Sequence, residues 1–268
     1  MPTVAVIPVK TLHDSKRRLA HLLSAGERAE LIGRFLDDLL LTLSAAPGID
    51  RTLVVTCDPA VVAMAQRRGA EVLLEDAADG LNAAAARGVA HAAAQGATAV
   101  LLLPADLPCA RVEDIEAMLR PLEKGPGSRG QVLGEDAHAK AQRSKGAKEE
   151  REETQASSSP SRLGSFAPWR EPSSLEPGTW PLAPLLSICP DAEENGTNAL
   201  LLAPPGDFTF HYGPGSFRAH LAEAEARGRA VQIVLAPGLR FDLDTESDWL
   251  VYINYELGIR NEEFSFHS

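Results

Sequence analysis

The chain has 268 residues, of which 44% are hydrophobic and only 5% are aromatic, and its formal net charge is −11 at pH 7. This length suits one large α/β domain or two small ones, with a core built mainly of alanine, leucine and valine. The acidic balance argues against general attraction to nucleic acid or to anionic membranes, so a small anionic substrate would need a local basic patch.

Cysteine usage and the first residues bear on the compartment. The chain has three cysteines and no Cys-x-x-Cys pair, which favours a reduced setting. The first ten residues lack the charged n-region and long apolar segment of a signal peptide, and no run of 18 apolar residues predicts a membrane span. We therefore expect a cytoplasmic protein.

Strands and helices alternate along the first 122 residues. The apolar run 3–9 predicts a strand, and residues 24–46 predict a helix that Ser24 caps, with Glu27 completing a capping box. The remaining predicted elements of this region are strands at 52–57, 70–75 and 98–104 and helices at 59–69, 80–96 and 111–122. The alternation predicts a three-layer α/β fold around a mostly parallel sheet.

The regular pattern stops at residues 123–183, which are rich in Gly, Ser, Pro, Glu and Lys. We interpret them as a flexible low-complexity insertion, the alternative being a linker between two domains. The insertion is favoured because the α/β pattern resumes after it. The elements expected there are strands at 184–191 and 196–204, a strand end, turn and helix within 208–228, and two short strands and a helix within 230–252.

The expected organisation is thus one domain over residues 1–252, interrupted by the insertion and followed by a tail at 253–268. Thr245 or Ser247 is expected to open the last helix.

Two segments at predicted strand ends favour nucleotide binding, since parallel α/β sheets place ligands there. Lys10, Lys16 and Arg18 follow the first strand, and cations at this place in an acidic chain suggest a polyphosphate site. A solvated basic loop is the alternative. Gly80-Leu81-Asn82 open a helix, which could admit a nucleobase, ribose or phosphate, or could be an ordinary helix start.

Carboxylates mark two other segments. Asp106 follows the apolar strand 98–104 and is flanked by prolines, so it is either a helix cap or a rigidly held Mg²⁺ ligand. Asp242 and Asp244 alternate, so in a regular strand one would join Asp106 at the metal and the other would cap the next helix. The alternative is that both only cap or face solvent. Ser216 lies in a glycine-rich turn that resembles an anion nest before a helix.

Taken together, these segments resemble a known family. The motifs IPVK…SKRRLA, GLNAA, LLPADLP, PD…GTNALLL, GPGSF and FDLDTESD occur in the order seen in the guanylyltransferases of coenzyme F420 biosynthesis, over residues 1–122 and 184–252. The resemblance implies a nucleotidyltransferase fold related to GT-A glycosyltransferases. It also implies transfer of GMP from GTP to the phosphate of phosphoenolpyruvate or 2-phospho-L-lactate, with release of pyrophosphate and with Mg²⁺ as cofactor.

The resemblance further implies roles for individual residues of this chain. The cations that would gather the triphosphate and act with Asp106 in catalysis are Lys10, Lys16 and Arg18. The residues that would contact the nucleotide are Pro8, Lys10, Gly80, Leu81 and Asn82. The residues that would bind the acceptor's phosphate, through hydroxyls and backbone N–H groups, are Thr197, Gly213 and Ser216. The metal ligands would be Asp106 with Asp242 or Asp244.

One motif departs from the family pattern. The family's PDRxGxGTN is PDAEENGTN here, so Ala192 replaces a basic residue and Glu193 and Glu194 add negative charge. This could repel a phospho-acid or change which acid is used, 3-phosphoglycerate included. Two other functions stay open: a GT-A glycosyltransferase, although the strand before Asp106 is followed by a single Asp between prolines and not by the expected DxD motif, and a non-catalytic nucleotide-binding protein. The chain is expected to act as a monomer or homodimer without nucleic-acid partners.

Overall fold

A computed structural model describes residues 2–76, 79–123 and 184–256 of the chain. The predicted insertion, from residue 124 onwards, and the predicted tail, beyond residue 256, lie outside the described residues. Glu123, the first residue of the predicted insertion, instead ends a helix.

The described strands form one mixed sheet of seven strands in the order β3-β2-β1-β4-β6-β5-β7. The neighbours β1–β2, β2–β3, β1–β4 and β5–β7 are parallel, whereas β6 runs antiparallel to both β4 and β5. The strands are β1 Thr3–Pro8, β2 Arg51–Thr56, β3 Glu71–Leu74, β4 Ala99–Leu102, β5 Leu185–Pro190, β6 Thr197–Ala203 and β7 Ala230–Ile233. The reversed β6 therefore brings its first residues to the edge where β1 and β4 end.

Helices cover both faces of this sheet. One buried cluster joins α1, α2, α4, α6 and α7 to the first face, and a second joins α3 and α5 to the other. The helices are α1 Ala25–Ala45, α2 Pro59–Arg67, α3 Leu81–Ala94, α4 Val112–Glu123, α5 Ser216–Ala226, α6 Pro237–Arg240 and α7 Glu246–Glu256. The predicted three-layer α/β architecture with a mostly parallel sheet is confirmed.

The helix starts follow the local chemistry of the sequence. The Ser24 hydroxyl accepts a hydrogen bond from the Glu27 amide at 3.3 Å, and the Glu27 carboxylate accepts from the Ser24 amide at 2.8 Å, which completes the predicted capping box. Thr245 opens α7, and its hydroxyl accepts from the Asp248 amide at 3.3 Å. The Asp248 carboxylate in turn accepts from the amides of Asp244 and Thr245. The expectation that Asp242 or Asp244 caps this helix is therefore wrong.

Two predicted strands are absent from the described sheet. Residues 208–212 alternate as a strand would, but the amides of Thr209, His211 and Tyr212 donate to side chains of Glu223, His220 and Asn82. These side chains satisfy the backbone donors that a neighbouring strand would otherwise pair. The predicted short strand near Asp242 is likewise an irregular segment between α6 and α7.

Close packing of α3 on the sheet depends on Gly88. A Cβ atom at this buried position would lie 2.5 Å from Val6 Cγ1 and 2.9 Å from Val55 Cγ2. We expect Gly88→Ala to lower the free energy of unfolding by about 1–3 kcal/mol through overpacking, despite alanine's higher helix propensity. Urea denaturation measures this change. The matched control is Gly26→Ala on α1, where a Cβ meets only Ser24 Oγ at 4.0 Å; equal stability of the two variants would contradict the packing argument.

Candidate active site

An ammonium and two carboxylates meet at the edge of the sheet where β1 and β4 end. Lys16 Nζ lies 2.5 Å from Asp106 Oδ2 and 2.5 Å from Asp244 Oδ1. The Lys16 side chain is only 5% exposed, whereas those of Asp106 and Asp244 are 27% and 46% exposed. Burial alone would lower the pKa of Lys16, but the charges and hydrogen bonds of the two carboxylates raise it. Lys16 is therefore a fixed positive charge that two separate loops share.

The loop after β1 is built to bring this ammonium inward. Lys16 has a left-handed backbone conformation (φ 52°, ψ 41°) between two short 3₁₀ turns. Buried Arg28 on α1 holds the loop, since its guanidinium donates to the carbonyl oxygens of Ser15 at 3.2 Å and Leu23 at 2.7 Å. At the loop's beginning, the Asp58 carboxylate accepts from the Leu12 amide at 2.9 Å. Sequence patterns gave no sign of the anchoring role of Arg28.

Asp242 connects this acidic cluster to β6. Its Oδ1 accepts a hydrogen bond from the Asn198 side chain at 3.2 Å. Burial, together with the nearby charges of Asp106 and Asp244, raises the pKa of Asp242 to about 6. Three carboxylates thus face a single ammonium, which leaves the cluster with excess negative charge.

The acidic cluster fits a divalent cation only in part. Within the described ranges, no group of three or more His, Cys, Asp or Glu side chains is arranged to hold a metal ion. Asp106 and Asp244, however, already share one cation, the Lys16 ammonium. Mg²⁺ commonly uses one or two protein carboxylates and completes its shell with substrate phosphates and water. The donor set therefore fits Mg²⁺ that arrives with a polyphosphate, with Asp106 and Asp244 as the matching pair.

The other predicted cations are solvent-facing. Lys10 is exposed immediately after β1, and the Arg18 side chain is 74% exposed with Nη1 3.8 Å from Asp244 Oδ2. At that distance and exposure the Arg18 contact contributes little to stability. Lys10 and Arg18 therefore face solvent, whereas the Lys16 side chain is buried.

Four of the predicted nucleotide-binding residues line one narrow cleft. Pro8, Lys10, Gly80 and Leu81 surround a cavity of about 10 Å³ together with Glu75 and other neighbours. That volume accommodates about one water molecule. Glu75, whose side chain is 6% exposed and pairs with Arg87, is a lining residue that sequence analysis missed.

Asn82 ties this cleft to the glycine-rich turn before α5. Its Oδ1 accepts from the Tyr212 amide at 2.6 Å, and its Nδ2 donates to the Tyr212 carbonyl oxygen at 3.2 Å. Both polar groups of the Asn82 side chain are thus engaged by one backbone unit. The Asn82 side chain therefore joins the two loops.

The predicted acceptor residues converge where β6 begins and α5 begins. The Ser216 hydroxyl donates to Thr197 Oγ1 at 3.3 Å, and both residues are buried. Gly213 adopts φ +133°, and its carbonyl oxygen accepts from the Ser216 amide at 3.1 Å. Since the Phe217 amide donates to Asn195 O at 3.2 Å, the first amides of α5 are already engaged. The Thr197 hydroxyl, to which Ser216 donates, is therefore better placed to bind an anion than these two amides.

The PDAEENGTN loop is held by its own aspartate and by an arginine of α6. Asp191 accepts from the amides of Asn195 at 2.9 Å and Gly196 at 2.6 Å. The Arg240 guanidinium donates to the carbonyl oxygens of Asp191 and Ala192 and lies 3.8 Å from Glu194. A cation thus accompanies the added acidic residues, although Ala192 itself carries none.

Comparison with known proteins identifies the family. A family model described as "Guanylyl transferase CofC like" matches residues 3–125. A phosphoenolpyruvate guanylyltransferase from Rubrobacter xylanophilus is 34% identical over 248 residues, covering 92% of each chain. This chain belongs to the CofC-like guanylyltransferase family. The resemblance noted from the motifs is confirmed, and the chain is a nucleotidyltransferase enzyme rather than a non-catalytic binding protein.

Two further proteins are similar to this CofC-like chain, one in sequence and one in structure. A 3-phospho-D-glycerate guanylyltransferase from Phenylobacterium zucineum is 38% identical over 118 residues, covering 43% of this chain and 54% of that protein. The solved structure of a nucleotidyl transferase from Methanothermobacter thermautotroptrophicus has a TM-score of 0.50 at 16% identity, covering 97% of this chain and 99% of its own. The latter supports the fold. None of the described helices is long and apolar enough to cross a membrane.

Proposed function

We propose that this CofC-like chain transfers GMP from GTP to the phosphate of phosphoenolpyruvate, with release of pyrophosphate, as a step of coenzyme F420 biosynthesis. One observation carries the proposal. The first two residues of β6 connect the two halves of the site, since Thr197 contacts Ser216 while Asn198 contacts Asp242. An anion held by the Thr197 hydroxyl would therefore lie at the same end of β6 as the acidic cluster that would hold a metal–triphosphate.

Phosphoenolpyruvate is the favoured acceptor because relatives named for it match most of this chain, at 34% and 30% identity over 92% of its length. The relative named for 3-phospho-D-glycerate matches less than half of the chain. 2-Phospho-L-lactate has the same three-carbon skeleton and stays an alternative. The acidic PDAEENGTN loop, with Arg240 beside it, is the segment in which we expect discrimination among these acids.

The proposed chemistry asks little of a general base. The acceptor's phosphate is already ionised near pH 7, so one of its oxygens can attack the α-phosphorus of GTP directly. A new P–O bond forms, the bond from the α-phosphorus to the bridging oxygen breaks, and pyrophosphate leaves with that oxygen. The protein's task is to align the two phosphates and to neutralise their charge. The Thr197 hydroxyl, which accepts from Ser216, would hold the attacking phosphate, while Lys10 and Arg18 would draw in the triphosphate.

We include Mg²⁺ because, without a bound cation, the negatively charged carboxylate cluster would repel the triphosphate of GTP. Asp106, Asp242 and Asp244 carry more negative charge than Lys16 compensates. Asp106 and Asp244 would hold the ion, and the bound ion would supply positive charge to the triphosphate oxygens. Localisation in the cytoplasm is expected.

The test is pyrophosphate release in a matrix of nucleotides and acids. GTP, ATP, CTP and UTP are each combined with phosphoenolpyruvate, 2-phospho-L-lactate, 3-phospho-D-glycerate or no acid, in the presence of Mg²⁺. We expect release only with GTP and an acid, fastest with phosphoenolpyruvate. The control is the full chain with the substitution Glu116→Gln, prepared and assayed in the same way. Glu116 is an exposed residue of α4.

Three results would count against parts of the proposal. Release that needs no acid indicates a simple nucleotide hydrolase. Equal rates with GTP and ATP refute guanylyl specificity. A clear preference for 3-phospho-D-glycerate overturns the acceptor assignment and leaves the reaction class intact.

A further inference from the structure

His220 is a buried histidine outside the set of residues that take part in the proposed reaction. It lies on α5, one turn after Ser216, and is 0% exposed. Its Nδ1 lies 3.0 Å from Thr197 Oγ1, and its Nε2 lies 2.9 Å from the His211 amide nitrogen. Tyr212 packs edge-on against the ring at a centroid distance of 5.0 Å. The ring therefore contacts both β6 and the loop before α5.

The two hydrogen bonds fix the tautomer of this histidine. The His211 amide can only donate, so Nε2 must accept and cannot carry a proton. A neutral imidazole then carries its hydrogen on Nδ1, which must donate to Thr197 Oγ1. The buried environment agrees with a neutral ring, since burial first, and then the nearby His211, lowers the pKa of His220 to about 4.

The tautomer in turn sets the direction of the Thr197 hydroxyl. A hydroxyl has two acceptor sites and one donor hydrogen. Thr197 Oγ1 accepts from His220 Nδ1 and from the Ser216 hydroxyl at 3.3 Å, so both of its acceptor sites are used. The hydrogen of Thr197 must then point away from His220 and Ser216, free to donate to a ligand.

We propose that His220 is a positioning residue, which orients the Thr197 hydroxyl so that it donates its hydrogen to an oxygen of the acceptor acid; this inference rests on the proposed function. A phosphate or carboxylate oxygen accepts hydrogen bonds and donates none once ionised, so a hydroxyl locked as a donor is preorganised for the acid. Because the amides of Ser216 and Phe217 donate to backbone carbonyl oxygens, the oriented Thr197 hydroxyl contributes a larger share of the affinity for the acid.

Two isosteric variants separate positioning from simple structural support. In His220→Asn the amide nitrogen can replace Nδ1 as donor to Thr197, while the contact with the His211 amide is lost. In His220→Gln the amide oxygen can replace Nε2 as acceptor from His211, while the donor to Thr197 is lost. Each variant loses one hydrogen bond, so their thermal stabilities should fall by similar amounts.

Steady-state kinetics with phosphoenolpyruvate and GTP distinguish the two roles. We expect His220→Gln to raise KM for the acid about 3- to 10-fold, the effect of one hydrogen bond, with little change in KM for GTP. His220→Asn should keep KM for the acid near that of wild type. If His220 has only a structural role, His220→Asn will raise KM for the acid more than His220→Gln does, or the variants will change KM for the acid and KM for GTP equally. Either result would overturn the proposal.

A second measurement stands apart from catalysis. Long-range ¹H–¹⁵N correlation spectra of the free wild-type protein report which ring nitrogen of His220 is protonated. The Nδ1–H form supports the proposal, and an Nε2–H form or a doubly protonated ring at neutral pH refutes it. If the wild-type protein makes no product with any acid, the proposed function fails, and the tautomer still decides how Thr197 is oriented.

Discussion

Replacing Asp106 by Asn is expected to lower kcat by about 10²–10³-fold while leaving the fold intact. The reason for the kinetic loss is that Asp106 is one of two carboxylates that share the cation position occupied by Lys16, and loss of a preorganised charge contact costs this much in comparable sites. Stability should change by less than about 1 kcal/mol, because Lys16 keeps Asp244 and the repulsion between Asp106 and Asp242 disappears.

Activity and thermal unfolding must be measured on the same preparation of this variant. Glu116→Gln again serves as the control, since it neutralises an exposed carboxylate of α4 away from the site. If Asp106→Asn unfolds several degrees earlier and loses activity only in proportion, Asp106 is a structural residue and the catalytic assignment fails.

Replacing Lys16 by Met is expected to destabilise the protein and to make its stability depend on Mg²⁺. The substitution removes the ammonium that Asp106 and Asp244 share at 2.5 Å. Breaking a fully buried ion pair on one side costs about 3–5 kcal/mol, but both carboxylates retain solvent contact, so we expect a loss of about 1–3 kcal/mol. Catalysis should fall as well, since the triphosphate loses a fixed positive charge.

The effect of Mg²⁺ on the Tm of Lys16→Met tests this prediction most sharply. With Lys16 gone, added Mg²⁺ can take the position between the two carboxylates, and ligand binding to the native state raises its stability. Saturating Mg²⁺ should therefore raise the Tm of Lys16→Met more than that of wild type. The matched control is Lys10→Met, an exposed lysine of the same loop, whose stability should be unchanged. Equal Mg²⁺ responses in all three proteins would argue against a metal site at Asp106 and Asp244.

Local sequence patterns predicted most of the fold because the signals were strong and independent of distant contacts. The capping box at Ser24 and Glu27 and the apolar strands around Val6 and Leu101 formed as expected. The sequence did not show that residues 208–212 leave the sheet, because alternation of apolar residues cannot reveal that side chains of α3 and α5 satisfy their amides.

The sequence predicted which residues form the site but not which of them contact one another. The motifs named Lys16, Asp106, Thr197 and Ser216, all of which the fold brings to one edge of the sheet. That Lys16 turns inward depends on its left-handed backbone and on Arg28, neither of which has a sequence signature. The sequence does not single out His220, because a lone histidine on a helix is usually a core residue, and only its two hydrogen bonds distinguish it.

In the proposed reaction, the phosphate of an acid attacks the α-phosphorus of GTP in this site. The most direct test is ³¹P NMR of a reaction containing the wild-type chain, GTP, Mg²⁺ and phosphoenolpyruvate. We expect a new pair of coupled phosphorus signals from a P–O–P linkage between GMP and the acid, with one equivalent of pyrophosphate. Free GMP with the acid unchanged, or no reaction of GTP with any of the three acids, would contradict it.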